Sequence, residues 1–349
     1  MREEQMPDID PYFSHVLQMC QSPDREQRLR ALDTLGKEYL DQVEADFLLF
    51  LLRRTSIYEE QSAILGIVSQ MGPRAPIEAL LDILADRDAP LRHAVAGTLA
   101  ALGEDAPVDI FISILQDSTE DPGLREDIAG FLGEFGERVP LAVLVSAVAD
   151  ADPAICAAAI GSLIDQGPRA PLEPILAHIA HPEWFVRKAA IRALSSARER
   201  APIEPIVASL GDADPRVRDA AALGIDLLLE WFGTRVPLAP LFTALGDEDA
   251  QVRESALDAL ANHPQYAPID LVVAALGDPN AYVRCAALLV LERMGNRVPQ
   301  EVYPSLLRMT WADAYPNARK YATKTLLTLK GIQPGEEQGN EGENFLGES

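Results

Sequence analysis

Apolar residues recur along this chain in short runs at helical spacing, and prolines and acidic turns punctuate them. Between Ala201 and Arg235, Ile203, Ile206, Val207 and Leu210 form one stripe, and Val217, Ala221 and Ile225 form a second after the break Gly211-Asp212-Ala213-Asp214-Pro215. Repeats at three and four residues place each set on one face of a helix. Pro202 fits the first helical position, where a missing N–H is no loss and a fixed φ suits the helix. Pro205 still falls in the first turn, whose N–H groups have no intrahelical acceptor; Pro174 and Pro240 repeat that placement. Asp214 is the expected N-cap of the second helix, with Pro215 following it. The stretch therefore predicts two helices joined by a tight turn.

The same plan returns at Pro76, Pro107, Pro140, Pro171, Pro202, Pro237, Pro268 and Pro299. A period in the low thirties marks stacked repeats, in which a unit buries its apolar side only against its neighbours. In register, the second helices share an arginine: Arg28, Arg92, Arg125, Arg187, Arg218, Arg253, Arg284 and Arg319, with Gln61 and Cys156 in the two other slots. Six residues before each slot stand Ser22, Thr55, Asp86, Thr119, Asp150, His181, Asp212, Asp247, Asp278 and Asp313. This register gives ten units, with Tyr12 to Cys20 and the polar helix near Tyr315 to Lys330 as end caps.

The runs at 211–221, 246–256 and 277–287, such as Gly-Asp-Ala-Asp-Pro-Arg-Val-Arg-Asp-Ala-Ala, resemble HEAT repeats in the short form also found in bilin-lyase-like proteins. The resemblance implies an all-α fold, a right-handed α-solenoid of about ten helical pairs over residues 12–331. It also implies a structural ladder of paired charges, carried here by Asp86, Arg92, Asp150, Asp212, Arg218, Asp247, Arg253, Asp278, Arg284, Asp313 and Arg319. The ladder is expected to break at Thr55 with Gln61, at Thr119, at Cys156 and at His181. Iron-dependent hydroxylases of this family rely on His-Glu dipeptides, and none of His15, His93, His178, His181 and His263 is followed by Glu. Bilin-lyase-like chemistry on a chromophore or a protein side chain is the alternative reading, although no motif carries it.

Charge narrows the partners. The formal net charge is −24, from 54 acids against 30 bases, which opposes nucleic acid and anionic lipid unless a basic stripe overrides it. The nearest approach to one is Arg187, Lys188, Arg192, Arg198 and Arg200, interleaved with acids. A protein partner of basic or mixed charge fits better, with no cofactor and no metal. No phosphate-binding glycine loop, nucleophile elbow or Cys-x-x-Cys pair appears, so a non-enzymatic scaffold or adaptor is expected. Residues 1–11 read as an N-terminal extension without a secretory pattern, and three dispersed cysteines read as reduced, so a cytoplasmic monomer is expected. Residues 332–349 carry five glutamates and no Lys or Arg, which predicts a disordered acidic tail, with Asn344-Phe345-Leu346 as a candidate docking motif.

Five residues after the slot, four successive second helices carry Gly66, Gly97, Gly130 and Gly161. Glycine inside a helix costs about 1 kcal/mol against alanine, so four in register need a reason. Close packing of adjacent helices is the plainer one. The other is a smooth floor for a partner, flanked by Ser62, His93, Glu126 and Ala157, with Arg192, Leu223, Asp258, Leu289 and Thr325 continuing the row further on. Lys188 and Trp184 join this candidate surface. Trp184 adjoins His178, His181 and Glu183, where packing of the ring or a local contact patch is expected and a metal site is disfavoured.

Overall fold

The computed structural model describes residues 11–87 and 89–331, so the expected acidic tail and the extension before Pro11 lie outside the described residues. Those described form twenty α-helices and no strand. The chain is an α-solenoid in fold class, and its contacts divide it after Ala170 into two compact units.

The first unit stacks five helical pairs: α1 (Pro11–Met19) with α2 (Arg25–Glu38), α3 (Ala45–Arg54) with α4 (Tyr58–Ser69), α5 (Ile77–Ala85) with α6 (Arg92–Ala100), α7 (Val108–Gln116) with α8 (Pro122–Phe131), and α9 (Leu141–Val148) with α10 (Pro153–Ile164). Each second helix also packs on the next second helix. Leu35, Leu48, Ile64, Leu80, Leu99, Phe111, Ile128 and Leu144 are buried at these seams, one layer after another. This is the nearest-neighbour burial that the repeat period demands.

The second unit repeats the arrangement with α11 (Glu173–Leu176) and α12 (Trp184–Ser195), α13 (Ile203–Ala208) and α14 (Pro215–Phe232), α15 (Ala239–Ala244) and α16 (Ala250–Asn262), α17 (Ile269–Ala275) and α18 (Ala281–Met294), and α19 (Tyr303–Ala312) and α20 (Pro316–Leu329). Val217, Ala221 and Ile225 are fully buried, as the stripe predicts. The Asp214 carboxylate caps α14 by accepting from the Arg216 N–H at 2.9 Å, with Pro215 at the first helical position. At five of the first helices the opening proline sits one residue earlier than the first helical position. Pro76, Pro107, Pro140, Pro202 and Pro268 are the residues before the helix, and the carbonyl of Pro76 accepts from Leu80. A proline carbonyl serves there as well as any other, and its absent N–H is still not missed.

At seven of the nine junctions between one pair and the next, the chain makes a 3-10 turn that contains a residue of positive φ; the exceptions are the junction before α3 and the turn Pro264–Tyr266. Gly72, Gly103, Gly136, Gly167, Gly233 and Gly295 fill that place with φ between 53° and 61°. A Cβ makes this backbone costly, which is why glycine holds it. Arg198 stands at the equivalent place with φ 56°, alone among the described non-glycine residues in having positive φ.

Candidate functional site

The slot arginines lie where the second helices begin. Arg218 donates from Nη1 to the carbonyls of Asp212 and Ala213 in its own turn, at 3.0 and 3.3 Å, and from Nε and Nη2 to both carboxylate oxygens of Asp247 in the next pair, at 2.8 Å each. Arg187 with Asp212, Arg253 with Asp278 and Arg284 with Asp313 repeat this geometry at 2.6–2.8 Å. Each carboxylate also accepts the backbone N–H two residues on, as Asp212 does from Asp214 at 2.9 Å. One arginine thus ties its own turn to the next pair, and one aspartate holds the next turn in shape. Arg319, in the last pair, donates to the carbonyls of Asp313 and Ala314.

In the first unit the acid comes from a different position in two of the three pairings. Arg28 is held by Glu60 of α4, whose other oxygen accepts from the Thr55 hydroxyl. Gln61 donates its amide to the Thr55 carbonyl at 2.9 Å, replacing the arginine's local contact without its charge. Arg92 pairs through both Nη atoms with Glu120 at 2.7 and 2.8 Å, and donates to the Leu84 carbonyl. Arg125 pairs with Asp150 and donates to the Leu115 carbonyl. The expected breaks at Thr55 and Thr119 are therefore bridged by Glu60 and Glu120, acids a few residues away that a fixed-offset alignment passes over. The Arg92 guanidinium's bidentate partner is thus Glu120 of the next pair. Glu120 is drawn down to about 2 by its hydrogen bonds from Arg92 against the opposing effect of burial.

Cys156 and His181 carry no ladder charge. Burial pushes the Cys156 thiol up to about 11, aided by Asp150, so it is a packing group. His181 retains half of what an aspartate does at this position, since its Nδ1 accepts the Glu183 N–H at 3.1 Å and its carbonyl accepts from Arg187 at 2.8 Å. His178 is engaged in the same turn, with Nδ1 2.8 Å from the Pro174 carbonyl and its ring 5.8 Å from that of His181. Trp184 packs edge-on against Phe185, and the Arg216 guanidinium, itself held by Asp214, lies 3.3 Å over the Trp184 ring. That arrangement is a packed corner between α12 and α14. Among the described residues no group of three His, Cys, Asp or Glu is arranged to hold a metal ion, and no helix is long and apolar enough to cross a membrane.

The in-register glycines are not packing devices. A Cβ built on Gly66, Gly130 or Gly161 meets nothing within 4 Å, and one on Gly97 meets only Phe131 Cζ at 3.8 Å. Close helix approach falls elsewhere, at Gly36 against Ile67 and at Gly133, where a Cβ would stand 2.8 Å from the Ser162 Cα. In the first unit, Tyr58, Ser62, Gly66, His93 and Gly97 line a groove of about 470 Å³ along α4 and α6. His93 is half-exposed between two carboxylates, with Nδ1 2.7 Å from Asp127 and Nε2 3.2 Å from Asp121. Glu126 is exposed beside them.

The second unit's face differs in character. Arg192 and Leu223 are exposed and Lys188, Asp258 and Leu289 are half-buried, but Thr325 is fully buried and donates to the Leu288 carbonyl. The residue five after Arg319 is Lys324, which lies on the surface and pairs with Glu292 at 2.9 Å, so Thr325 is one residue out of the row's register. Asp219, Asp226, Glu254 and Asp258 crowd α14 and α16. Burial, then repulsion from Asp258 and Asp219, raises Glu254; burial, then Asp226, raises Asp258 against a partial offset from Arg293.

The family model for HEAT repeats matches residues 77–164, 141–226 and 238–326. No curated protein matches the chain. Among solved structures it is similar to Kap95p, in the complex where Kap95p binding induces the switch loops of RanGDP to adopt the GTP-bound conformation, with TM-score 0.63 and 14% identity over 93% of this chain and 53% of that one. Kap121p bound to Pho4p gives 0.55 and 16%, over 94% and 42%, and Kap121p bound to Nup53p gives 0.55 and 15%, over the same shares. The chain spans about half the length of these proteins or less, and the likeness is one of fold.

Proposed function

This chain belongs to the HEAT-repeat family, and from that premise we propose that it is a non-enzymatic interaction scaffold that holds a protein segment of basic or mixed charge on the face of its second helices. The unit length near 31 residues and the Asp and Arg at fixed places fit the short, bilin-lyase-like form of the repeat. The observation that carries the proposal is the crowding of Asp219, Asp226, Glu254 and Asp258, all half-buried, along α14 and α16, with two of the four raised by their surroundings. Like charges gathered at that cost are relieved when a cation arrives. The glycine row supports the same reading in the first unit, because it leaves the second helices smooth where, among the described residues, only Phe131 comes near. Kap121p, which shares the fold, is described in complexes with Pho4p and Nup53p, so the fold can hold protein partners.

A photo-crosslinking residue at Leu289 on the second-helix face, and another at Leu271 on the first-helix side, test the proposal with lysine-rich and glutamate-rich peptide probes. Capture of the lysine-rich probe from Leu289 and not from Leu271, lost on Asp258→Lys with Glu254→Lys, is the expected result. The bilin-lyase-like alternative is judged on the same purified protein: a stoichiometric metal or a bound pigment in its absorbance spectrum replaces the scaffold reading.

A further inference from the structure

The long helix α14 presents Leu223, Leu227 and Trp231 at four-residue intervals, 49%, 38% and 45% exposed. Residues four apart share a helix face, so these form a continuous apolar stripe. At its lower end Ser195, Ser196, Arg198, Leu227, Glu230 and Trp231 enclose a groove of about 360 Å³. Arg198 reaches it from the turn where six sibling turns use glycine, and its guanidinium carbon lies 5.9 Å from the centre of the Trp231 ring. A non-glycine side chain held at positive φ, where six other turns use glycine, marks a place where the residue itself is wanted. Arg192, one turn up α12, is exposed, and among the described residues neither it nor Arg198 has a carboxylate partner in salt-bridge reach. Glu230 is an acid in the groove's lining, while Asp219 and Asp226 of the same helix are engaged on the α16 side by Ser255, Asn262 and His263. The side of α14 towards α12 is therefore apolar with two arginines free of carboxylates, suited to an apolar occupant that brings acids to them.

The chain carries such an occupant. Residues 332–349 hold five glutamates, no Lys or Arg, and the pair Phe345-Leu346. They follow α20 in the chain. Neighbouring second helices here run parallel: Ser255 early in α16 meets Asp219 early in α14, and Asn262 late in α16 meets Asp226 late in α14. Contacts link α14 to α16, α16 to α18 and α18 to α20, so α20 ends on the edge where Trp231 and Arg198 lie. Three helix-to-helix steps of about 10 Å each separate α20 from α14. From Gly331 to Phe345 the chain has about 14 residues, an extended reach of roughly 46 Å.

We propose that residues 332–349 dock in cis on the surface of α12 and α14, with Phe345 and Leu346 against Leu223, Leu227 and Trp231 and the glutamates on Arg192 and Arg198. The inference goes beyond the scaffold reading and does not need it, since tail docking is measured without any external partner.

The test uses full-length chains and a fluorescein-labelled peptide of residues 332–349, read by anisotropy. In the chain carrying Phe345→Asp and Leu346→Asp the surface is vacant, and this chain binds the peptide at least tenfold more tightly than the unaltered chain does. Adding Arg192→Glu and Arg198→Glu removes that binding, and raising the salt weakens it. Arg198→Gly is the second variant, because it relieves the positive φ and melts no earlier than its parent, yet loses at least fivefold in peptide affinity. Equal affinity for the vacant and unaltered chains overturns the proposal, as does affinity indifferent to Arg198. A concentration-dependent dimer in light scattering that vanishes with Phe345→Asp and Leu346→Asp overturns docking in cis.

Discussion

Arg218 holds Asp247 of the next helical pair through two N–H groups, each 2.8 Å from a carboxylate oxygen, while its third nitrogen serves the carbonyls of its own turn. The pair is nearly buried, with side-chain exposures of 9% and 12%. Burial weakens the net value of an ion pair, but removing one partner leaves a charge stranded without its hydrogen bonds. Arg218→Ala is therefore expected to lower stability by about 1–3 kcal/mol, seen as an earlier urea midpoint. Arg218→Met with Asp247→Leu should recover much of that loss. A folded Arg218→Ala chain of unchanged midpoint would contradict the structural role.

Glu120 gives the ladder a pH signature. Its carboxyl is held at about 2, against 4.5 for an unperturbed glutamate, by the hydrogen bonds from Arg92. The folded value is the lower one, so the stabilisation is fully present above the unfolded pKa and is lost as pH falls from about 4.5 through 2. The group is largely buried, and a shift of this size corresponds to on the order of 3 kcal/mol. Acid titration of the urea midpoint should show a loss in that window that Glu120→Gln abolishes, the variant being less stable at pH 7 from the outset.

The helical pairs, their order and their seams were legible because stacked repeats write one local rule many times. Apolar spacing, an acidic cap and a proline suffice when each pair meets only its neighbours. The ladder was legible where the turn has constant length, as from Asp212 to Arg319. It was misplaced where the turn differs: Glu60 sits inside α4 and Glu120 next to Thr119, and a fixed six-residue offset cannot reach either. The role of the glycines could not be read from spacing, since Gly130 and Gly133 look alike in sequence and only the distance to α10 separates them. Lys324, five residues after Arg319, keeps the row's register as a surface cation, whereas Thr325, six after it, is buried.

That difference between glycines predicts opposite responses to one methyl group. Gly66→Ala and Gly161→Ala place a Cβ in open space within a helix, and each should raise stability by up to about 1 kcal/mol. Gly133→Ala drives a Cβ to 2.8 Å from the Ser162 backbone and should lower it by about 1–3 kcal/mol. Thermal melts of the three variants decide the matter. If the glycine row is a floor for a partner's backbone, the two stabilised variants should also hold that partner less well.

Asp258 reverses the sign seen at Glu120. Burial, and then repulsion from Asp226, raises its carboxyl above the usual range, so the folded chain keeps the proton more readily than the unfolded one. Stability on this account falls as pH rises from the ordinary carboxylate pKa through the raised one, and the full cost is present at neutral pH. Asp258→Asn removes the charge and keeps the shape, so it should stabilise the chain at pH 7 by roughly 0.2–1 kcal/mol. The gain should vanish in acid, where the parent is already neutral. An acidic residue kept where it destabilises the fold is better explained by what it holds than by what it packs against. The same variant, more stable at pH 7, should therefore bind a lysine-rich segment several-fold more weakly than the parent. Unchanged peptide affinity alongside the stability gain would leave Asp258 without the role proposed for it.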